Sequence, residues 1–141
     1  MRFLDANVFI YAFYKPKKAL TPLEKRMKDL SKSIIADVGE GKDPVVTTVV
    51  HISGMVNILK HALSISEIAE IVTTLSLLDS VDIASVDKMD YLAATKLGQD
   101  LGLDPNDALA VQVLRLRGLS EIYSFDRVFE RVEGVRRLPV L

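Results

Sequence analysis

Three aspartates, Asp5, Asp107 and Asp126, stand where carboxylates could do joint chemistry. Asp5 directly follows the short apolar run Arg2-Phe3-Leu4, and Asp126 follows the strand-like Glu121-Ile122-Tyr123. Both therefore fall at the carboxyl ends of expected strands. Asp107 lies in the first turn of a helix expected from Asp104-Pro105 to about Arg117. Its i+4 and i+7 neighbours are Val111 and Leu114, which set its carboxylate along an apolar, inward stripe rather than toward solvent. Brought together, three acids would repel and raise one another's pKa, and a divalent cation would remove that repulsion. Hard carboxylate oxygens suit Mg²⁺ or Mn²⁺, and an ion so held can orient a phosphate, activate water and stabilise a leaving oxygen. Each Asp also has a plainer reading as a helix cap. Asp5 and Asp126 precede helices, and Asp107 follows Asp104 by three residues in a capping-box-like start. A buried acid is rare without a partner, so the stripe-facing Asp107 is the one that capping explains least.

The elements that must position these acids are readable from spacing. Arg2–Leu4 reads as a buried first strand, followed by a helix from Ala6 to about Phe13 that the Lys15-Pro16-Lys17-Lys18 stretch ends. Thr21-Pro22-Leu23-Glu24 combines an N-cap Thr, a Pro at the first helical position and a capping-box Glu. Leu23, Met27, Leu30, Ile34 and Val38 then repeat at helical spacing until Gly39 and Gly41. Pro44–Thr47 reads as a second strand and residues 48–62 as a helix. Ser64-Ile65-Ser66-Glu67 opens another helix, with Ile68, Val72, Leu75 and Leu78 inward. A short strand at Asp82–Ala84, a helix capped by Asp87 and closed by Gly102, and a last edge strand at Arg136–Val140 complete the pattern. Strands separated by helices predict one domain over residues 1–141, a three-layer α/β/α fold with a mostly parallel central sheet. In such sheets ligands bind beyond the carboxyl ends of the strands.

Composition narrows the classes. Hydrophobic residues make up 49% of the 141 positions and aromatics only 6%, so the core must be built from Val, Ile, Leu and Ala, as suits helices on a parallel sheet. Cysteine is absent, which excludes disulfides, thiol catalysis and thiolate metal sites. No apolar run approaches the roughly 18 residues that cross a bilayer, and no secretory signal pattern opens the chain, so a cytoplasmic location and no membrane partner are expected. The net charge of −1 argues against a strongly basic coat for nucleic acid while leaving room for a local basic groove.

The opening Phe3-Leu4-Asp5-Ala6-Asn7-Val8-Phe9-Ile10 is similar to the apolar-Asp-x-Asn start of PIN domains. Asp107-Ala108-Leu109-Ala110 and Ile122-Tyr123-Ser124-Phe125-Asp126-Arg127-Val128-Phe129 match that family's closing pattern in order and spacing. The chain resembles a PIN domain over nearly its whole length, close to the VapC-like toxin ribonucleases. The resemblance implies a PIN-like fold, a metal-dependent endoribonuclease using Mg²⁺ or Mn²⁺, and RNA as substrate. It makes Asp5, Asp107 and Asp126 the catalytic, metal-binding acids. Asn7 orders the loop of the first acid, although a first-turn helix residue is its plainer reading, and Ser124 fills the hydroxyl position two residues before the last acid. For a VapC-like toxin it further implies a homodimer and a cognate antitoxin protein.

One departure stands out. The family usually carries a Glu on the helix after the second strand, and no Glu occurs between Glu40 and Glu67. Counting from Thr47, Ser53 best matches the expected acid. A degenerate PIN domain that binds RNA or protein without cutting is therefore the alternative. A phosphatase or receiver-like α/β domain is disfavoured, since no glycine-rich phosphate loop is present. On the helix 48–62, the wheel puts Val49, Ile52, Val56, Leu59 and Leu63 inward. Ser53, Asn57 and Lys60 line the edge, with Lys60 either meeting phosphate or solvated. Val50, Met55 and Ile58 lie outward as surplus apolar surface that suggests a subunit interface. His51 and His61 read as surface or partly buried residues without a role.

Overall fold

Strands of three or four residues cannot stand alone, and here five of them share one sheet. The computed structural model describes all 141 residues. In chain order the elements are β1 (Arg2–Leu4), α1 (Ala6–Phe13), α2 (Pro22–Gly39), β2 (Val45–Thr48), α3 (Val49–Leu59), α4 (Ile65–Leu77), β3 (Val81–Ala84), α5 (Lys88–Leu101), α6 (Pro105–Leu116), β4 (Glu121–Tyr123), a 3₁₀ turn (Arg127–Arg131) and β5 (Arg136–Leu138). The strand order is β3-β2-β1-β4-β5 and every pair is parallel.

Alternation along the strands divides the core in two. Leu4 and Val45 face a layer made by Val8 and Phe9 of α1, Ile34 and Val38 of α2, Met55 and Leu59 of α3, and Leu75 of α4. Phe3, Val46 and Ile122 face the opposite layer, where Ala108, Val111 and Leu114 of α6 pack with Phe129. This is the α/β/α sandwich expected, with the sheet buried on both sides. The capping boxes at Thr21–Glu24 and Ser64–Glu67 form as read, each side chain accepting the other's backbone N–H. Leu23, assigned to the inward stripe of α2, is exposed, and the buried stretch of that helix begins only at Ser31.

The main correction concerns α3. Thr48 caps it through a bond from the His51 amide, and it ends at Leu59 rather than running to residue 62. Its buried residues are His51, Ile52, Met55 and Leu59, whereas Val49 is 48% and Ile58 53% exposed. Met55, expected outward, is 1% exposed and belongs to the core, and Val49, expected inward, faces solvent. The cause is anchoring at the N-terminus. His51 is drawn inside by polar partners described below, and this rotates the apolar stripe relative to the one that hydropathy alone selects.

α5 and α6 approach closely because Gly98 lets them. A Cβ there would lie 2.4 Å from the carbonyl oxygen of Leu103 and 3.2 Å from the Ala108 Cβ. This contact fixes the α5–α6 turn and thereby the start of α6, where Asp104 and Asp107 stand.

Candidate functional site

The strand order reverses direction between β1 and β4, since β2 and β3 are added on one side of β1 while β4 and β5 lie on the other. At such a switch point the chains leaving adjacent strands diverge and open a crevice at the carboxyl edge. Asp5 leaves β1 at that edge and Ser124, Phe125 and Asp126 leave β4.

Asp5 is buried and serves as N-cap of α1, its Oδ1 accepting from the Ala6 amide at 2.8 Å. Its other oxygen, Oδ2, accepts from the Ser124 hydroxyl at 2.6 Å. Ser124 is also buried, and its Oγ accepts from the Asp126 amide at 3.0 Å and from Asn7 Nδ2 at 3.3 Å. Asn7 Oδ1 in turn accepts from the Phe125 amide at 3.2 Å. A single hydroxyl thus ties the first acid to the loop carrying the last, and Asn7 staples that loop to α1. Asp126 caps the 3₁₀ turn, Oδ1 accepting from the Val128 amide at 3.0 Å.

Asp107 comes to the same edge from α6, whose N-terminus Asp104 caps through the Asp107 amide at 2.9 Å. Burial first, and then the charges of Asp104, Asp5 and Asp126, together raise the Asp107 pKa to about 7. Burial likewise raises Asp5; the Ser124 and Ala6 hydrogen bonds oppose that rise, while Asp126 and Asp104 add to it. The structure therefore brings Asp5, Asp107 and Asp126 into one electrostatic cluster and adds a fourth acid, Asp104. No three His, Asp or Glu side chains are grouped tightly enough to chelate one ion as they stand. The donor chemistry nonetheless suits a hard divalent cation, since four carboxylates lie within electrostatic reach of one another and burial with their mutual repulsion raises Asp107.

His51 is the second residue that sequence reasoning passed over. It is buried, its Nδ1 lies 2.7 Å from Thr48 Oγ1, and its Nε2 lies 3.1 Å from the carbonyl oxygen of Asn106 in the first turn of α6. The ring also packs edge-on against Phe3, with centroids 4.8 Å apart. Burial lowers its pKa to about 4, against the Asn106 carbonyl and Asp104, which favour protonation. Being neutral, the ring carries one N–H, and the Asn106 carbonyl, which can only accept, takes it from Nε2. His51 thus tethers α3 to the turn that carries Asp107. The sequence gives no sign of a partner 55 residues on.

Ser53 is not drawn into this cluster. It is exposed, and two residues past His51 it lies about 200° round the helix. Gly54, three residues on, shares the His51 face, and a Cβ there would meet no atom within 4 Å. Lys60 caps the far end of α3 and is exposed.

The family model described as PIN domain matches residues 2–135. The chain belongs to the PIN domain family. Among solved structures, VapC20 of Mycobacterium tuberculosis, a Sarcin-Ricin loop cleaving toxin, superposes on this PIN domain with a TM-score of 0.66 at 17% identity, covering 89% of this chain and 90% of that one. At that identity the likeness is one of fold. No curated protein matches the chain. No helix is long and apolar enough to cross a membrane.

Proposed function

We propose that this PIN domain is a metal-dependent endoribonuclease of the VapC-like toxin type, with Asp5, Asp107 and Asp126 as its metal-binding acids and Asp104 beside them. The observation that carries the reading is the Ser124 hydroxyl, which joins Asp5 beyond β1 to the Asp126 loop beyond β4, while the start of α6 brings Asp107 within electrostatic reach of both. Carboxylates crowded in this way are stabilised by a hard cation, and the family supplies the reason for one. When bound, Mg²⁺ or Mn²⁺ supplies an acidified water and neutralises phosphate charge. The chain's own residues do the rest. Asp5 and Asp126 hold their places through Ser124, Asn7 keeps the β4 loop closed on α1, and His51 sets the height of α6. RNA is the proposed substrate. The fold it shares with a Sarcin-Ricin loop cleaving toxin supports a structured RNA as the class to try first.

The absence of a Glu between Glu40 and Glu67 favours a second reading, a PIN domain that binds RNA or protein without cutting. We place the missing carboxylate at Gly54 rather than Ser53, since Gly54 shares a face with His51 and has open space before it. An antitoxin partner, a homodimer and a cytoplasmic location belong to the same toxin-type reading. The test is cleavage of a structured RNA with Mg²⁺ or Mn²⁺, with EDTA and with Asp5→Asn and Asp107→Asn. The nuclease reading expects metal-dependent cleavage that falls at least ~100-fold in each variant, on the scale of losing a transition-state charge stabiliser. Tight RNA binding with no cleavage at any metal concentration would establish the second reading instead.

A further inference from the structure

β5 reaches the site through one side chain. Arg137, the middle residue of β5, has a side chain only 8% exposed although it belongs to an edge strand. Its Nη1 donates to the carbonyl oxygen of Ser124 at 3.1 Å and to that of Pro139 at 3.5 Å. Its Nε and Nη2 both donate to Glu130 Oε1, at 3.1 and 2.6 Å. The Ser124 amide is also held by β5, donating to the Leu138 carbonyl at 2.8 Å. Both backbone polar groups of Ser124 are thus fixed from β5, while its hydroxyl holds Asp5 and the Asp126 amide. Glu130 lies near the far end of the 3₁₀ turn. One planar guanidinium therefore spans the loop 124–131 from its first carbonyl to Glu130, with Asp126 between them.

We propose that Arg137 is a positioning residue of the metal site, fixing Asp126 and the Ser124 hydroxyl through this fork. The proposal rests on the nuclease reading above for its metal, and on geometry alone for its loop. The PIN domain match ends at residue 135, so the brace comes from a strand outside the matched stretch. The fork has a chemical requirement. Two carboxylate bonds and two carbonyl bonds in one plane need a guanidinium, and the point charge of a Lys cannot make them together. An ion pair that merely decorated the surface would leave Ser124 and Asp126 untouched.

The experiment compares wild type, Arg137→Met, Arg137→Lys and Glu130→Gln by amide hydrogen exchange and by Mn²⁺ titration calorimetry. In Arg137→Met, exchange at Asp126 and Val128 should accelerate at least ~10-fold while Val111 and Leu114 of α6 stay unchanged. Mn²⁺ affinity should fall ~10- to 100-fold, as when residues behind metal ligands are removed. Arg137→Lys should resemble the Met variant more than wild type, and Glu130→Gln, which keeps the Ser124 bond, should lose less. Wild-type exchange at Asp126 and Val128 in Arg137→Met, or acceleration spread evenly through α6, would overturn the proposal. If the Met variant does not fold, wild-type values of both readouts in Arg137→Lys would overturn it equally. A wild type that binds no Mn²⁺ would overturn the metal reading, and the exchange data would still decide whether Arg137 holds the loop.

Discussion

Asp107 is the residue whose chemistry is most exposed to measurement. Burial first, then Asp104, Asp5 and Asp126, raise its pKa from an ordinary 3.8 to about 7. A carboxyl raised on folding favours the folded state most below its unfolded pKa. That contribution is lost as pH rises through the folded value. The metal-free protein should therefore lose stability between about pH 4 and 7. Converted in full, the shift would be roughly 4 kcal/mol, but solvent screening at a half-buried group reduces this to about 1–2 kcal/mol. Asp107→Asn should flatten that slope and melt higher than wild type at pH 8 in EDTA, by scanning calorimetry. His51 acts in the opposite sense between about pH 6.5 and 4, because a ring held neutral favours unfolding as protons become available. The His51 contribution is common to variant and wild type, so their difference reports Asp107 together with its coupling to Asp5, which burial also raises. A variant with the wild-type slope would contradict the shared-charge account. Mn²⁺ affinity in wild type should weaken as pH falls through about 7, since a proton then competes for the same carboxylate.

Two glycines decide how the elements present these residues, and they predict opposite outcomes. Gly98→Ala places a Cβ 2.4 Å from the Leu103 carbonyl, a backbone atom that cannot swing aside. It should destabilise by about 1–3 kcal/mol and weaken Mn²⁺ binding, because the start of α6 must shift. Gly54→Ala meets nothing within 4 Å in a helix interior and should stabilise by about 0.5–1 kcal/mol. Gly54→Glu should tighten Mn²⁺ binding, whereas Ser53→Glu should not, as calorimetry on the two variants would show; the reverse order would return the missing acid to Ser53. These elements also mark what a sequence can and cannot reveal. Asp5, Asp107 and Asp126 are legible because strand ends, caps and an inward stripe are local patterns. Met55 is not, because α3 carries apolar residues at Val49, Val50, Ile52, Met55, Val56, Ile58 and Leu59, and hydropathy offers more than one phase. What fixes the phase is His51 reaching a carbonyl of α6, a tertiary contact with no local signature. Arg137 is hidden for the same reason, since nothing near it in sequence announces a bond to Ser124.

For the whole molecule, the parallel sheet order places β1 beside β4 and so brings residues 5 and 126 to one edge. The alternating strand and helix pattern anticipated the layers, and the order of the strands follows from which faces pair, a matter that pattern alone leaves open. The same scale governs association. With Met55 in the core, a substitution there would damage folding rather than report on a dimer. The apolar residues left outside near the α3–α4 turn are Ile58 and Ile65. If the toxin-type homodimer forms through that turn, sedimentation at micromolar concentration should give a dimer in wild type and a monomer in Ile65→Glu, with little change in melting. A wild type that stays monomeric would contradict the dimer and leave the nuclease site unaffected. The central claim is that three acids from β1, α6 and the β4 loop close on one divalent ion. Its most direct measurement is the anomalous difference density of a crystal soaked in Mn²⁺. The account predicts a peak coordinated by Asp5, Asp107 and Asp126 at the carboxyl edge between β1 and β4. No peak there, with Mn²⁺ bound only at other carboxylates, would contradict it.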